Sequence, residues 1–161
     1  MKLLSYPLLS LLVGFFAVSC TSDDSNNAPK DFLVFGHFYG MCGGEECVEI
    51  FKITDNALKE DSKDQYPNRD EIYVGDYSTL ATEDFDKVKD LRDHFPEKLL
   101  DETDLVLGCP DCADGGGLYI EYKSGDTHRY WFIDQTQASV PAYLHDFMDR
   151  ANKKISLINA E

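Results

Sequence analysis

The chain has 161 residues, 28% of them charged, and its 30 acidic against 15 basic side chains give a formal net charge of −15. Such a field repels phosphate backbones and anionic headgroups, which argues against nucleic acid and against a polybasic membrane patch. It leaves either a well-solvated acidic surface or one that attracts a cation or a basic partner. The length suits one domain around a single core.

Lys2 is the only charge before Cys20, and an apolar run from Leu3 to Ser19 follows it. As a helix that run would span about 25 Å, borderline for crossing a bilayer. A charge, a short apolar core and the small residues Ala17 and Ser19 have the anatomy of a secretory signal. The alternative is an uncleaved anchor helix, and small residues directly before a cysteine argue against it. Ala17-Val18-Ser19-Cys20 resembles the lipobox of bacterial lipoproteins. The resemblance implies a signal peptide over 1–19, cleavage before Cys20 and a diacylglyceryl group on that cysteine. It implies a protein of the bacterial cell envelope held to a membrane by lipid. One acyl chain binds only marginally, at about 0.8 kcal/mol per buried methylene, whereas two or three anchor stably. Ser22-Asp23-Asp24, just after the cysteine, resembles the export signal of some Gram-negative surface lipoproteins. That implies an outer-membrane lipoprotein on the outer leaflet, facing outward. The same polar run reads as a flexible tether over 20–30, because Ser, Asp and Asn bury too little to fold. Both readings can hold together.

The apolar, aromatic stretch Asp31–Tyr39 predicts a buried strand, Gly40–Cys47 a turn, and Val48–Ile53 a second strand antiparallel to the first. Residues 55–70 read as a polar loop with some strand at Ala57–Lys59, and Ile72–Val74 as a short third strand. Thr82 is placed to cap a helix carrying Phe85, Val88, Leu91 and Phe95 at helical spacing, which Pro96 ends. Leu105–Leu107 reads as a short extended piece, and proline and glycines exclude a helix over Gly108–Gly117. Leu118–Lys123 and Thr127–Ile133 flank Ser124-Gly125-Asp126 and form the clearest hairpin. Ser139 is placed to cap a last helix with Pro141 in its first turn. Its apolar stripe is Val140, Leu144, Phe147, Met148, Ala151 and Ile155, with Lys153 and Lys154 toward its negative end.

The order hairpin, strand, helix, hairpin, helix predicts a single α+β domain over 31–158. Its antiparallel sheet has four to five strands, and both helices lie on one face. The pattern is similar to that of small lipoproteins with a cysteine-bearing first hairpin, which implies no activity. Alternation sends Tyr130 and Phe132 to one face and Trp131 to the other, so the face without helices is expected either to expose aromatics, as a binding patch would, or to bury them in part.

Four further cysteines form two pairs, Cys42 with Cys47 and Cys109 with Cys112. Were Leu105–Leu107 to run toward the first turn, all four would gather at one pole of the sheet. An exported chain meets an oxidising compartment, which favours disulfides; three connectivities are possible, and the local pairs 42–47 and 109–112 are the expected ones. Two turn-borne pairs also resemble zinc-ribbon knuckles, and four thiolates suit tetrahedral zinc, with Glu45, Glu46, Asp111 and Asp114 favouring a cation. Cys-Pro-Asp-Cys has the spacing of a redox dithiol, but the glycines after it deny it a helix N-terminus and its acidic neighbours would raise a thiol pKa. Asp111 and Asp114 match a calcium loop only loosely. His37 and His128 fall in predicted strands, where a satisfied histidine is the ordinary reading and a pair across the sheet the sharper one. No nucleophile, phosphate-loop or metalloprotease motif is present.

These observations point to a non-enzymatic, lipid-anchored binding or structural module without a cofactor. Its partners are the membrane, through its lipid, and a protein or small-molecule ligand. The alternative is a metal-handling or thiol-redox protein built on the four cysteines, with zinc as its cofactor.

Overall fold

A computed structural model describes residues 31–160. Seven strands form one mixed sheet: β1 (Phe32–Phe38), β2 (Val48–Ile53), β3 (Leu58–Asp61), β4 (Tyr77–Thr79), β5 (Val106–Leu107), β6 (Gly117–Ser124) and β7 (Thr127–Asp134). Their spatial order is β4-β3-β2-β1-β6-β7-β5. Both anticipated hairpins are present, and β1 sits at the centre of the sheet, antiparallel to β2 and β6.

The sheet departs from the expected one at its edges. β5 pairs in parallel with β7, through Val106 with Phe132 and Leu107 with Ile133, so the sheet is not wholly antiparallel. Ile72–Val74 is not a strand; the ladder is made by β3 and, after the loop, by β4. The physical reason lies in Tyr73. Its backbone N–H donates to the Tyr119 hydroxyl at 3.0 Å and its own hydroxyl to Asp61 at 2.5 Å, so side chains satisfy the segment across the sheet face.

Helix α1 covers Thr82–Val88 and α2 covers His145–Ile158. Ala81, not Thr82, is the N-cap of α1, since its carbonyl accepts from the N–H groups of Asp84 and Phe85. After Val88 the chain tightens into a 3-10 turn over Lys89–His94, so Leu91 and Phe95 reach the core without continuing the helix. Ser139 does not cap α2, because two 3-10 turns, Gln137–Ser139 and Ala142–Leu144, precede it. The expected apolar stripe is nonetheless buried from Val140 to Ile155.

Pleating divides the core in two. On one face Leu33, Phe35, Phe51, Ile53, Ile120 and Trp131 pack under α1, α2 and the 3-10 turns. On the other, Val34, Phe38, Ile50, Tyr119 and Phe132 form a second cluster. The expectation of exposed aromatics there is corrected: Phe132 and Tyr119 are fully buried, because the segment 62–76 lies over them and contributes Tyr66 and Tyr73 to ring contacts. No helix among the described residues is long and apolar enough to cross a membrane.

Candidate functional site

The cysteines occupy one end of the sheet. Phe38, the last residue of β1, pairs with Val48 and Gly117, and Leu107 pairs near the end of β7, so the turn 39–47 and the loop 108–116 share that end. Cys42 is bonded to Cys47 and Cys109 to Cys112, with Cα–Cα separations of 5.6 and 5.5 Å. The two loops are joined by Asp111, which sits at φ 60°, a left-handed conformation that aspartate tolerates better than most residues. Its carboxylate accepts from the Gly40 N–H at 2.9 Å, the Tyr66 hydroxyl at 2.9 Å and the Gly116 N–H at 3.2 Å. Burial and then this hydrogen bond push the Tyr66 phenol above its ordinary pKa, which keeps it a donor. Arg69 adds a bond to the Pro110 carbonyl at 2.7 Å.

With the sulfurs paired, none is a thiolate available to a metal, and a zinc site there would first require reduction of both disulfides. No group of three or more His, Cys, Asp or Glu side chains among the described residues is arranged to hold a metal.

A polar chain crosses the second face. Glu121, buried, takes the Tyr119 hydroxyl on one oxygen at 3.1 Å and faces His128 Nε2 at 2.8 Å with the other. Burial first, and then the Glu121 charge, drive the Tyr119 phenol far up, so it stays protonated and donates. The Lys52 ammonium sits 3.7 Å from the centre of the Phe32 ring, and burial pulls its pKa down while Glu121 opposes that. His37 lies on the other face, its Nε2 3.0 Å from the Glu46 carbonyl, so the His37–His128 pair does not form. The Tyr119–Glu121–His128 chain is satisfied within the fold and holds the covering segment in place.

The opposite end of the sheet is open. A cavity of about 620 Å³ lies between the 3-10 turn after α1 and the ends of β1, β2 and β6. Phe85, Phe95 and Tyr122 form its apolar wall, each half-buried. The Phe95 and Tyr122 rings stack at 4.2 Å between centres. A second, shallower hollow of about 750 Å³ shares Asp55, Lys123 and Ser124 with it and extends to Asp31 and Asp126, so the two make one trough. Asp31 accepts from the Gly125 N–H at 3.0 Å and from Ser124 Oγ at 3.1 Å, which hold its carboxyl below the ordinary range. Some of the rim charges are paired, Arg92 with Asp55 at 2.7 Å and Asp90 with Lys154 at 2.6 Å, which lowers the Asp90 pKa, whereas the lining carboxylates Asp93 and Asp126 have no basic partner among the described residues.

The structure thus brings Cys42, Cys47, Cys109 and Cys112 to one pole as the two local pairs. Cys20, Ser22, Asp23 and Asp24 lie outside the described residues. Sequence reasoning missed the trough, whose walls come from segments near residues 31, 54, 90 and 123 with no shared motif. No known family matches the chain, and no curated protein matches it either.

Proposed function

We propose that the protein is a lipid-anchored module of the bacterial cell envelope, an outer-membrane lipoprotein displayed on the surface, and that its folded domain binds a ligand in the trough. The lipid sits on Cys20 and the tether is residues 20–30. The observation that carries the binding role is the trough. It is a concave surface where half-buried aromatic rings and polar side chains converge, and such convergence is what a ligand site requires. Asp31, where the tether meets the domain, lies on its rim. The acidic net charge supports a partner that is neither nucleic acid nor an anionic headgroup.

The anchor is tested by metabolic labelling with a clickable palmitate analogue, together with mass spectrometry of the mature N-terminus. The expected result is label on the wild type, none on Cys20→Ala, and a mature chain beginning at an acylated Cys20. An unacylated chain starting at Met1, or one that washes freely from membranes, overturns the anchor.

A further inference from the structure

We propose that the Cys109–Cys112 disulfide is a thiol–disulfide exchange site, opened by an external dithiol, and that its reduction releases the covering segment 62–76 from the cysteine end of the sheet, a device separate from the trough. The position of the disulfide is what carries this. Only Pro110 and Asp111 lie between its two cysteines, and those are the residues that hold the neighbouring segments. The Pro110 carbonyl accepts from Arg69 at 2.7 Å. The Asp111 carboxylate accepts from the Tyr66 hydroxyl and from the Gly40 and Gly116 N–H groups. The Tyr66 ring in turn meets Phe38 of the second core cluster at 5.1 Å between centres.

The segment is built to open at that point and to stay seated elsewhere. Asp61 gathers its two ends, accepting from the Asp64 N–H at 3.2 Å, the Tyr73 hydroxyl at 2.5 Å and the Asp76 N–H at 2.5 Å. Tyr73 is also bonded to Tyr119 through its N–H. Between those ends Tyr66 and Arg69 tie the segment to the disulfide loop, and a long bond of 3.4 Å from the Tyr130 hydroxyl to the Arg69 carbonyl adds to them. Loss of the loop's hold therefore frees the middle of the segment by a local opening, with no need to unfold the sheet.

The disulfide is also the one of the two that a reagent reaches more readily. Cys109 and Cys112 are both exposed, whereas Cys47 of the other pair is buried. Exposed disulfides are the labile ones. The loop is bent against its own backbone preference as well: Asp111, Ala113 and Asp114 sit at φ 60°, 53° and 58°, a region that a Cβ makes costly. Opening the ring lifts the covalent constraint on that turn. In the exchange, a thiolate of the dithiol attacks one sulfur of the pair, a mixed disulfide forms, and the other cysteine leaves as a thiolate and takes up a proton. The second thiol of the reagent loses its proton and displaces the first cysteine, which is protonated in turn. Two electrons and two protons pass to Cys109 and Cys112, and the dithiol ends as a cyclic disulfide.

The test titrates the isotopically labelled full mature chain, in detergent micelles, with mixtures of reduced and oxidised dithiothreitol. Alkylation and mass spectrometry read which pair is open, and NMR reads the amides and rings. Cys109 and Cys112 are expected to open at a lower proportion of the reduced reagent than Cys42 and Cys47. In that half-reduced state the Tyr66–Phe38 ring contact should vanish, the Gly40 and Gly116 amides should exchange about tenfold faster, and the β1 and β6 amides should stay protected. Replacing Cys109 and Cys112 together by serine should produce the same state without reductant. Should that variant fail to fold, Tyr66→Phe combined with Arg69→Gln takes its place in the oxidised chain: the ring at position 66 should leave Phe38, and reduction should then add nothing. Opening of the 42–47 pair first or together with 109–112 overturns the proposal. So does selective opening of 109–112 with the Tyr66–Phe38 contact retained, and so does loss of protection across β1 and β6, which would make the disulfide a staple of the whole domain.

Discussion

Replacing Asp111 by alanine is the sharpest test of how the disulfide-bearing end is built. The carboxylate accepts three hydrogen bonds, from Gly40, Tyr66 and Gly116, at 2.9, 2.9 and 3.2 Å. Each is worth about 0.5–1.5 kcal/mol net, and the partial exposure of the loop places them toward the lower end. Alanine also loses the tolerance of aspartate for φ 60°, a further cost of about 1 kcal/mol. The expected loss is about 2–4 kcal/mol, a large share of the roughly 5–15 kcal/mol that holds a domain together. Asp111→Asn keeps the backbone preference and one acceptor, and should lose about half as much. Urea unfolding with the disulfides intact measures each variant. A double-mutant cycle with Tyr66→Phe should give a coupling of about 1 kcal/mol, because the two side chains share one bond. A loss below about 0.5 kcal/mol for Asp111→Ala, or strict additivity in the cycle, refutes the reasoning.

Two further predictions concern the sheet. Gly36 lies in the middle of β1, and a Cβ there would fall on the Glu49 carbonyl and the Ile50 Cα of β2, so Gly36→Ala should cost about 2 kcal/mol or more. An unchanged thermal midpoint would show that the β1–β2 spacing is wrong. Burial raises the pKa of Glu60, as do the charges of Glu49, Asp64, Asp84 and Asp61. A folded-state pKa above the unfolded one means the protonated form is favoured by folding. That stability is fully present below about pH 4.3, the ordinary glutamate value, and is lost as the pH rises through the raised value. Glu60→Gln should therefore raise the melting midpoint at pH 7 and give no gain near pH 4. A gain of equal size at both pH values would exclude the electrostatic cause.

The parts of the fold that were legible in the sequence are those where burial dictates composition. β1, β2, β6 and β7 are apolar or alternating, and Gly125 with Asp126 marks the turn between the last two. The stripe Leu144, Phe147, Met148, Ala151 and Ile155 is helical in spacing and buried in fact. Tyr77-Ser-Thr79 carries too little apolar pattern to be read as a strand. Leu58–Asp61 and Val106–Leu107 are legible only in part, as some strand at Ala57–Lys59 and an extended piece at Leu105–Leu107, and no turn announces the parallel pairing of the latter. Ile72–Val74 misled for the opposite reason: its composition suits a strand, yet Tyr73 is held through Tyr119 and Asp61. Local spacing favoured the two cysteine pairs. The role of Asp111 could not be read, because its partners lie 71 and 45 residues away in sequence.

The two ends of the sheet differ in what their polar groups have left to offer, and that difference supports the proposed binding role. At the cysteine end, Asp111 has three donors on its carboxylate, Arg69 is committed to the Pro110 carbonyl, and covalent bonds close both loops. A ligand arriving there would compete with bonds the fold already makes, and the competition costs what each bond contributes. At the Asp31 end several charges are paired but not saturated, and the Phe95 ring stacks on Tyr122 and meets Trp131 and Phe147. A ligand seated there, as proposed, would gain contact area and hydrogen bonds without dismantling those the fold makes. Rigidity at one end and unused bonding capacity at the other follow from the same central strand, because β1 carries the chain from Asp31 at the trough to Gly40 at Asp111.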